Sequence, residues 1–356
     1  MKRYSILFIC LALFTTLMSA HDFTISVADG KLCFKITDAK SMTAEVTYEG
    51  SIAKPVESTL TGALVIPGTV RHEGNVYTIT SIGAKALAGA KNITSVTMPS
   101  TISSIGDFAF EGCTGLENII FPGSPVAFGQ GVFFRCTALR NISIGSDWTQ
   151  LDFRMFRWSE NLQSVNIPAR IQKIQGLKSL RHLRSIEVDA NNVRYAAEGG
   201  CLYDKSFTTL LCVPRAFSGE LSVRLGVTSI LWGAVIDCPG ITAVSLPSTL
   251  QKLSFREFSR IPNLMKITCQ TESPVITATS NGTGDLPLLA VANGKVELYV
   301  PKASVKAWKS AITQQGGDFY EIRANKPEGI SENEATMPYS IATSQLILAK
   351  NIKPIK

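Results

Sequence analysis

The chain has 356 residues, of which 45% are hydrophobic and 18% charged, a balance that folds and is too apolar for a disordered chain. Its formal charge of +7 is a modest excess at this length, and without a dense basic face or a matching motif it sets nucleic acid aside as a partner. The three histidines, His21, His72 and His182, are scattered and there is no CxxC pair, so the spacing calls for no metal and no cofactor.

The N-terminus reads as an export signal over residues 1–20. Lys2 and Arg3 are its charged start, 6–18 its apolar core, and Ser19 and Ala20 its small residues before a cut at His21. The apolar core is too short to span a bilayer, and no later stretch suits a transmembrane helix. The reading is therefore a secreted or outer-surface protein. Residues 21–75 alternate polar and apolar, as in "KLCFKI" and "TAEVTY", which predicts a β-rich N-terminal cap.

From residue 76 a period takes over. Ile82, Ile105, Phe128, Leu151 and Ile174 stand 23 residues apart, as do Ile230 and Leu253. With these as anchors, further apolar or small residues recur at fixed offsets, among them Phe110, Phe133, Phe156 and Phe258 at one position and Cys113, Cys136, Ser159 and Cys238 at another. A lone copy buries too few side chains to offset the entropy of ordering it, roughly 1–2 kcal/mol per residue, whereas stacked copies bury their flanks and pair their backbones. The prediction over 76–270 is a repeat solenoid, mainly β with short helical turns, its strands in a parallel ladder. Four of the strands precede a proline, at Pro99, Pro122, Pro168 and Pro247, which cannot donate to the ladder.

The copy after Ile174 is two residues short, and the next anchor, Ile230, is 56 residues away. An insert near 189–226 is therefore predicted. Within it "GGCLYDKSFTTLLCVP" forms a β-hairpin turning at Asp204–Phe207 and packed beside the stack. Residues 271–323 leave the period. "VELYVP" and "ASVKAWKSA" suggest a strand and a helix that close the far end as a C-terminal cap, after a loop at 281–287. A polar tail follows over 324–356.

The motifs "TSIG", "SIGDFAFEGCTGL" and "SVTMPS" resemble the BspA-like leucine-rich repeat. The lead-in "GNVYTITSIGAKAL", the inserted "CLYDKSFTTLLCVP" and the closing "LYVPKASVKAWKSA" are similar to the same family, in order, over about residues 22–323. The resemblance implies a leucine-rich-repeat surface or secreted binding protein, some relatives being adhesins for host proteins, with no shared catalytic residues. The sequence departs from the motif at "VAFGQGVFFRC", which lacks SIG, and at "DFRMFRWSENL", which lacks glycine and cysteine. The end, "ENEATMPYSIATSQLILAKNIKPIK", resembles the opening of a surface-sorting segment.

The recurring cysteines suit small thiols filling a corner of each rung, since Ala90 and Ser159 take the same place. Seven cysteines remain after the signal, an odd number that cannot be wholly paired within the chain, with Cys201 and Cys212 the best-placed pair. Asp107, Asp152 and Asp237 fall at different offsets, so no acidic ladder supports hydrolysis by paired carboxylates, and the chain reads as no enzyme. Between the strand pegs the outward residues, such as Ser95, Asn118, Asn141 and Ser164, are small and polar, and Ile120 interrupts them. That pattern suits a solvated face or a contact surface.

An arginine set is more pointed. Arg154 and Arg256 share one repeat position, Arg135 and Arg260 another, and Arg157 and Trp158 adjoin them, with Arg181 and Arg184 nearby. Such a stripe would grip an anionic glycan or acidic protein, from host or envelope. An ordinary charged convex face fits the same residues. The function expected is adhesion to host proteins or glycans, the alternative a structural or assembly component of the bacterial cell envelope.

Overall fold

The computed structural model describes residues 21–325, except 29, 49, 52–53, 56–58, 125, 254–257, 259, 274–295 and 315–320. The signal at 1–20, the loop at 281–287 and the tail after Asn325 lie outside the described residues, as does Arg256.

The protein is a β-solenoid of parallel strands with little helix. Each repeat contributes two short strands to two separate ladders, where the sequence pattern suggested one. The first ladder runs through the anchors, with Ile82 beside Ile105 and Ile105 beside Phe128, then Leu151 beside Ile174. The second runs through the later strand of each repeat, with Val96 beside Ile119 and Ile119 beside Ile142. Cα partners in these pairs are 23 residues apart, so equal repeat positions lie over one another. At Val165 the partner is Ile186, and the shorter step is the two-residue deletion absorbed in the turn.

A third side is closed by backbone bonds between turns. The amides of Lys85, Leu87 and Gly89 donate to the carbonyls of Asp107, Ala109 and Glu111, and the next turn repeats this from Phe108, Phe110 and Gly112 to Gln130, Val132 and Phe134. Inside, Phe133 lies between Phe110 and Phe156, with ring centroids 5.1 and 5.2 Å away. Both ladders break after the third full repeat. There "GSDW" fits closely under the preceding turn, with Trp148 buried and its Nε1 donating to the carbonyls of Pro122 (3.1 Å) and Ser124 (2.8 Å).

The alternating N-terminal residues form antiparallel strands Phe23–Val27, Gly30–Asp38 and Thr43–Thr47. The last of these pairs in parallel with Asn75–Ile82, and Thr61–Val65 pairs with Asn92–Thr97, so both ladders begin upstream of the periodic sequence. At the other end Ser218–Ser222, Gly240–Leu246, Lys266–Cys269, Glu297–Val300 and Glu321–Ala324 form one five-stranded parallel sheet. The helix Val305–Gln314 buries Trp308 and Ile312 against it.

The insert departs from the sequence expectation. It has three antiparallel strands, Tyr195–Glu198, Cys201–Asp204 and Thr209–Cys212, and the third pairs in parallel with Ser229–Ile230. It therefore sits in line with the anchor ladder rather than beside it, because "TTLLC" supplies the rung that a normal repeat would. Its entry is fixed by Asn192, which is fully buried. The Asn192 side chain accepts from the amides of Arg194 and Tyr195 and donates to the carbonyls of Pro168 and Ile171. The core divides here into one cluster reaching from Phe23 to Cys212 and another from Cys201 to Ile312. Phe258 is buried in the second, so it does not stack with the phenylalanine column of the first.

Candidate functional site

The recurring thiols are structural. All seven described cysteines are buried thiols outside any disulfide, Cys201 and Cys212 included. Cys113 and Cys136 donate from Sγ to the carbonyls of Leu87 and Phe110 in the turn below, each at 3.1 Å. Burial pushes Cys201 and Cys238 up to about 12 and Cys212 up to about 11, far from a reactive thiolate at neutral pH. Ser159 stands at the same corner, and its buried hydroxyl has no hydrogen-bond partner.

The arginine positions gain a backbone meaning. Seven residues past every anchor except Ile174 the chain turns through a left-handed conformation, at Gly89, Gly112, Arg135, Trp158, Asp237 and Arg260, with φ between 58° and 73°. Glycine is the residue this conformation favours, and a bulky side chain there is uncommon. Arg135, Trp158 and Arg260 are therefore held at a backbone cost, all at one repeat position, and all exposed.

The ion pairs divide the set. Arg154 clasps Asp152 of its own turn, with Nε 2.9 Å from both carboxylate oxygens. The hydrogen bond and charge of Asp152 hold the Arg154 guanidinium above its ordinary value, and Arg154 in turn, chiefly through that hydrogen bond, holds Asp152 below its own. Arg260 pairs with Asp237 one turn below at 2.7 Å, and Arg215 reaches the same carboxylate at 3.5 Å. Among the described residues no carboxylate pairs with Arg135, Arg157 or Arg181. Arg181, seven residues past Ile174, places its guanidinium carbon 4.5 Å from the centroid of Trp158, and that of Arg157 lies at 5.9 Å. Arg135 lies over Phe134 at 5.1 Å. Uncommitted cations around an exposed indole thus occupy three successive turns.

Beside this corner is a cleft of about 430 Å³, where the insert interrupts the stack. Arg157, Lys178, Arg181 and Arg215 supply its charge, and Leu202, Leu211 and Leu231 with Trp232 its apolar walls. Sequence reasoning did not find Lys178, Arg215 or Trp232. The available signal was "SILWG" standing where other anchors are followed by glycine, at Gly83, Gly106 and Gly129. In those turns an added Cβ at Gly106 would come within 2.5 Å of the amide nitrogen of Ala84. The turn below Ile230 belongs to the insert, which leaves room for Leu231 and Trp232, 51% and 74% exposed.

The polar strand face is as the spacing predicts. Ser95, Asn118 and Asn141 lie side by side, the Asn141 amide donating to the Asn118 side-chain oxygen at 2.8 Å, and Ile120 stands out among them, exposed. Among the described residues no helix is long and apolar enough to cross a membrane.

Residues 76–188 match the family model described as "BspA type Leucine rich repeat region", in six copies. Among solved structures, a leucine rich cell surface protein from Faecalibacterium prausnitzii A2-165 is 17% identical, the match covering 86% of this chain and 96% of that one with a TM-score of 0.41. The pneumococcal vaccine antigen PcpA is 16% identical, with 86% and 100% covered and a TM-score of 0.45. A leucine-rich repeat protein from Eubacterium ventriosum ATCC 27560 is 18% identical, with 85% of each chain covered and a TM-score of 0.45. No curated protein matches the chain.

Proposed function

Residues 76–188 of this chain match the BspA-type leucine-rich repeat, and on that premise we propose that the protein is an exported surface protein that acts by binding an anionic host glycan or glycoprotein. The observation that carries this reading is the corner of Arg135, Trp158 and Arg181, with Arg157 beside it. These are exposed side chains on consecutive turns, without carboxylate partners among the described residues. A protein using this face only for solubility has no need of a tryptophan in a left-handed turn, a conformation that bulky residues avoid unless the surroundings impose it. Guanidinium groups spaced along a solenoid match anions spaced along a polymer.

The test is retention on heparin. Arg157→Glu with Arg181→Glu should lower the salt needed for elution, because such contacts are screened within about 8–10 Å near physiological ionic strength. Lys31→Glu with Lys40→Glu, both exposed on the N-terminal strands, makes the same charge change and should elute close to wild type. Equal shifts in the two variants would reduce the corner to net charge. Capture only of the producing cell's own envelope components would favour an assembly role instead.

A further inference from the structure

The cleft at the insert has a composition of its own. Lys178 lies in the short 3₁₀ turn Leu177–Ser179, and its Nζ is buried without a hydrogen-bond partner. The Lys178 carbonyl is taken by the Arg215 guanidinium at 3.3 Å, and Asp237 holds the other side of that guanidinium at 3.5 Å. Arg215 is thereby fixed at the wall while Arg157 and Arg181 stand free at the mouth. The floor is Leu202, Leu211 and buried Cys212 from the insert, and Trp232 stands on the rim, 74% exposed.

A desolvated ammonium with no hydrogen-bond partner is costly unless an acceptor completes it. Arg157, Lys178, Arg181 and Arg215, the charged groups of the lining, are all donors, so the complementary ligand brings oxygen acceptors. An extended acidic peptide also brings main-chain N–H donors, which this lining does not answer. A sugar acid brings hydroxyls and a carboxylate on one side of its ring and a C–H face on the other, which suits a flat indole beside cations. The volume is that of a pocket for a small group rather than a channel for a whole chain.

The geometry points to a subsite for one carboxylate-bearing sugar of an acidic glycan, its carboxylate at Lys178 and Arg215 and its ring against Trp232. This deepens the proposed surface-binding function and rests on it, the corner of Arg135 and Trp158 carrying the rest of the polymer.

The probe is a hyaluronan tetrasaccharide, which carries carboxylates and no sulfate, titrated by tryptophan fluorescence and calorimetry against the full chain. The expected result is saturable binding, weakened roughly tenfold or more by Lys178→Met, which deletes a charge-assisted contact, and similarly by Trp232→Ala. The carboxyl-reduced tetrasaccharide should not bind, and Lys31→Glu, on the N-terminal strands away from both the corner and the cleft, should leave tetrasaccharide affinity unchanged. Circular dichroism and melting show that each variant is folded, and Lys178→Met removes an unsatisfied charge, so lost binding there is not lost structure. No binding by wild type, or binding that survives both cleft variants, overturns the subsite. So does Lys178-dependent binding of hexaglutamate in place of the tetrasaccharide. If the tetrasaccharide fails while heparin retention still depends on Arg157 and Arg181, the cleft assignment falls and the surface-binding function stands. If both fail, the function falls with it.

Discussion

Phe133→Ala is the sharpest test of the stacking. Phe133 is fully buried, its ring 5.1 Å from Phe110 and 5.2 Å from Phe156 at interplanar angles of 19° and 14°, with the edge of Phe121 at 5.9 Å. Truncating a buried phenylalanine costs about 3–5 kcal/mol through lost transfer energy and the cavity left behind. Two stacked pairs add about 0.5–1.5 kcal/mol each beyond area burial, which puts this site in the upper half of that range. Neighbouring turns hold the backbone in place through the bond from the Phe133 amide to the Met155 carbonyl, so the cavity cannot collapse. Urea unfolding, followed by circular dichroism and by hydrogen exchange of the amides at 110 and 133, measures the loss. The same experiment tests the division of the core. Phe110→Ala and Phe133→Ala should couple by about 0.5–1.5 kcal/mol, whereas Phe133→Ala and Phe258→Ala, in different clusters, should add within about 0.5 kcal/mol. An unchanged midpoint in Phe133→Ala, or equal coupling in both pairs, would refute the column.

Three further outcomes follow from single side chains. Asn192→Ala strips partners from four backbone groups and should cost at least about 3 kcal/mol at roughly 1–3 kcal/mol per buried orphan. Faster hydrogen exchange of the amides at 194 and 195 would mark the loss, and wild-type exchange there would exclude it. Ser159→Cys should raise the urea midpoint by about 1 kcal/mol of stability, because a thiol at that corner reaches the carbonyl below, as Cys113 and Cys136 do; a lowered midpoint counts against that corner geometry. Burial holds Lys178 below its ordinary value, opposed by Cys212, Cys238 and Asp237 and aided by Arg215. The unfolded chain therefore binds the extra proton between that lowered value and about 10.4, and stability should rise with pH across this window. Lys178→Met should be more stable than wild type at neutral pH and lack that rise, so parallel pH profiles would show that Lys178 is not desolvated.

The fold was legible because stacking copies the period into space. The 23-residue spacing of Ile82, Ile105 and Phe128 became their lateral pairing, and the deletion after Ile174 became the shorter step from Val165 to Ile186. What stayed hidden was pairing between segments without repeat signal. Residues 43–47 and 61–65 alternate like any half-buried strand, and alternation does not distinguish parallel from antiparallel partners. The insert was read as a hairpin beside the stack for the same reason, since nothing in "TTLLC" reveals that Leu210 lies beside Ile230. In the site, the equal repeat positions of Arg135 and Arg260 became equal left-handed turns, which Trp158 shares. The spacing was blind to carboxylates two or 23 residues away, and these neutralise Arg154 and Arg260.

A perfect repeat presents the same surface at every turn and leaves no room for a pocket, because each turn is sealed to the next by the corner bonds that join Lys85, Leu87 and Gly89 to the turn above. A concave site requires the period to fail. Here the failures coincide: "DFRMFRWSENL" brings Arg157 and, where other copies have glycine, Trp158, and the short copy brings Lys178 and Arg181. The insert provides Leu202, Leu211 and Arg215, and the restart at Ile230 carries Leu231 and Trp232 where glycine would be sealed in. The interval from Arg157 to Gly233, where the motif is broken by the short copy and the insert, supplies the whole lining of the cleft. In a solenoid of this kind the departures from the motif are the informative positions, because each one either spoils packing or opens a surface that the repeat by itself cannot make.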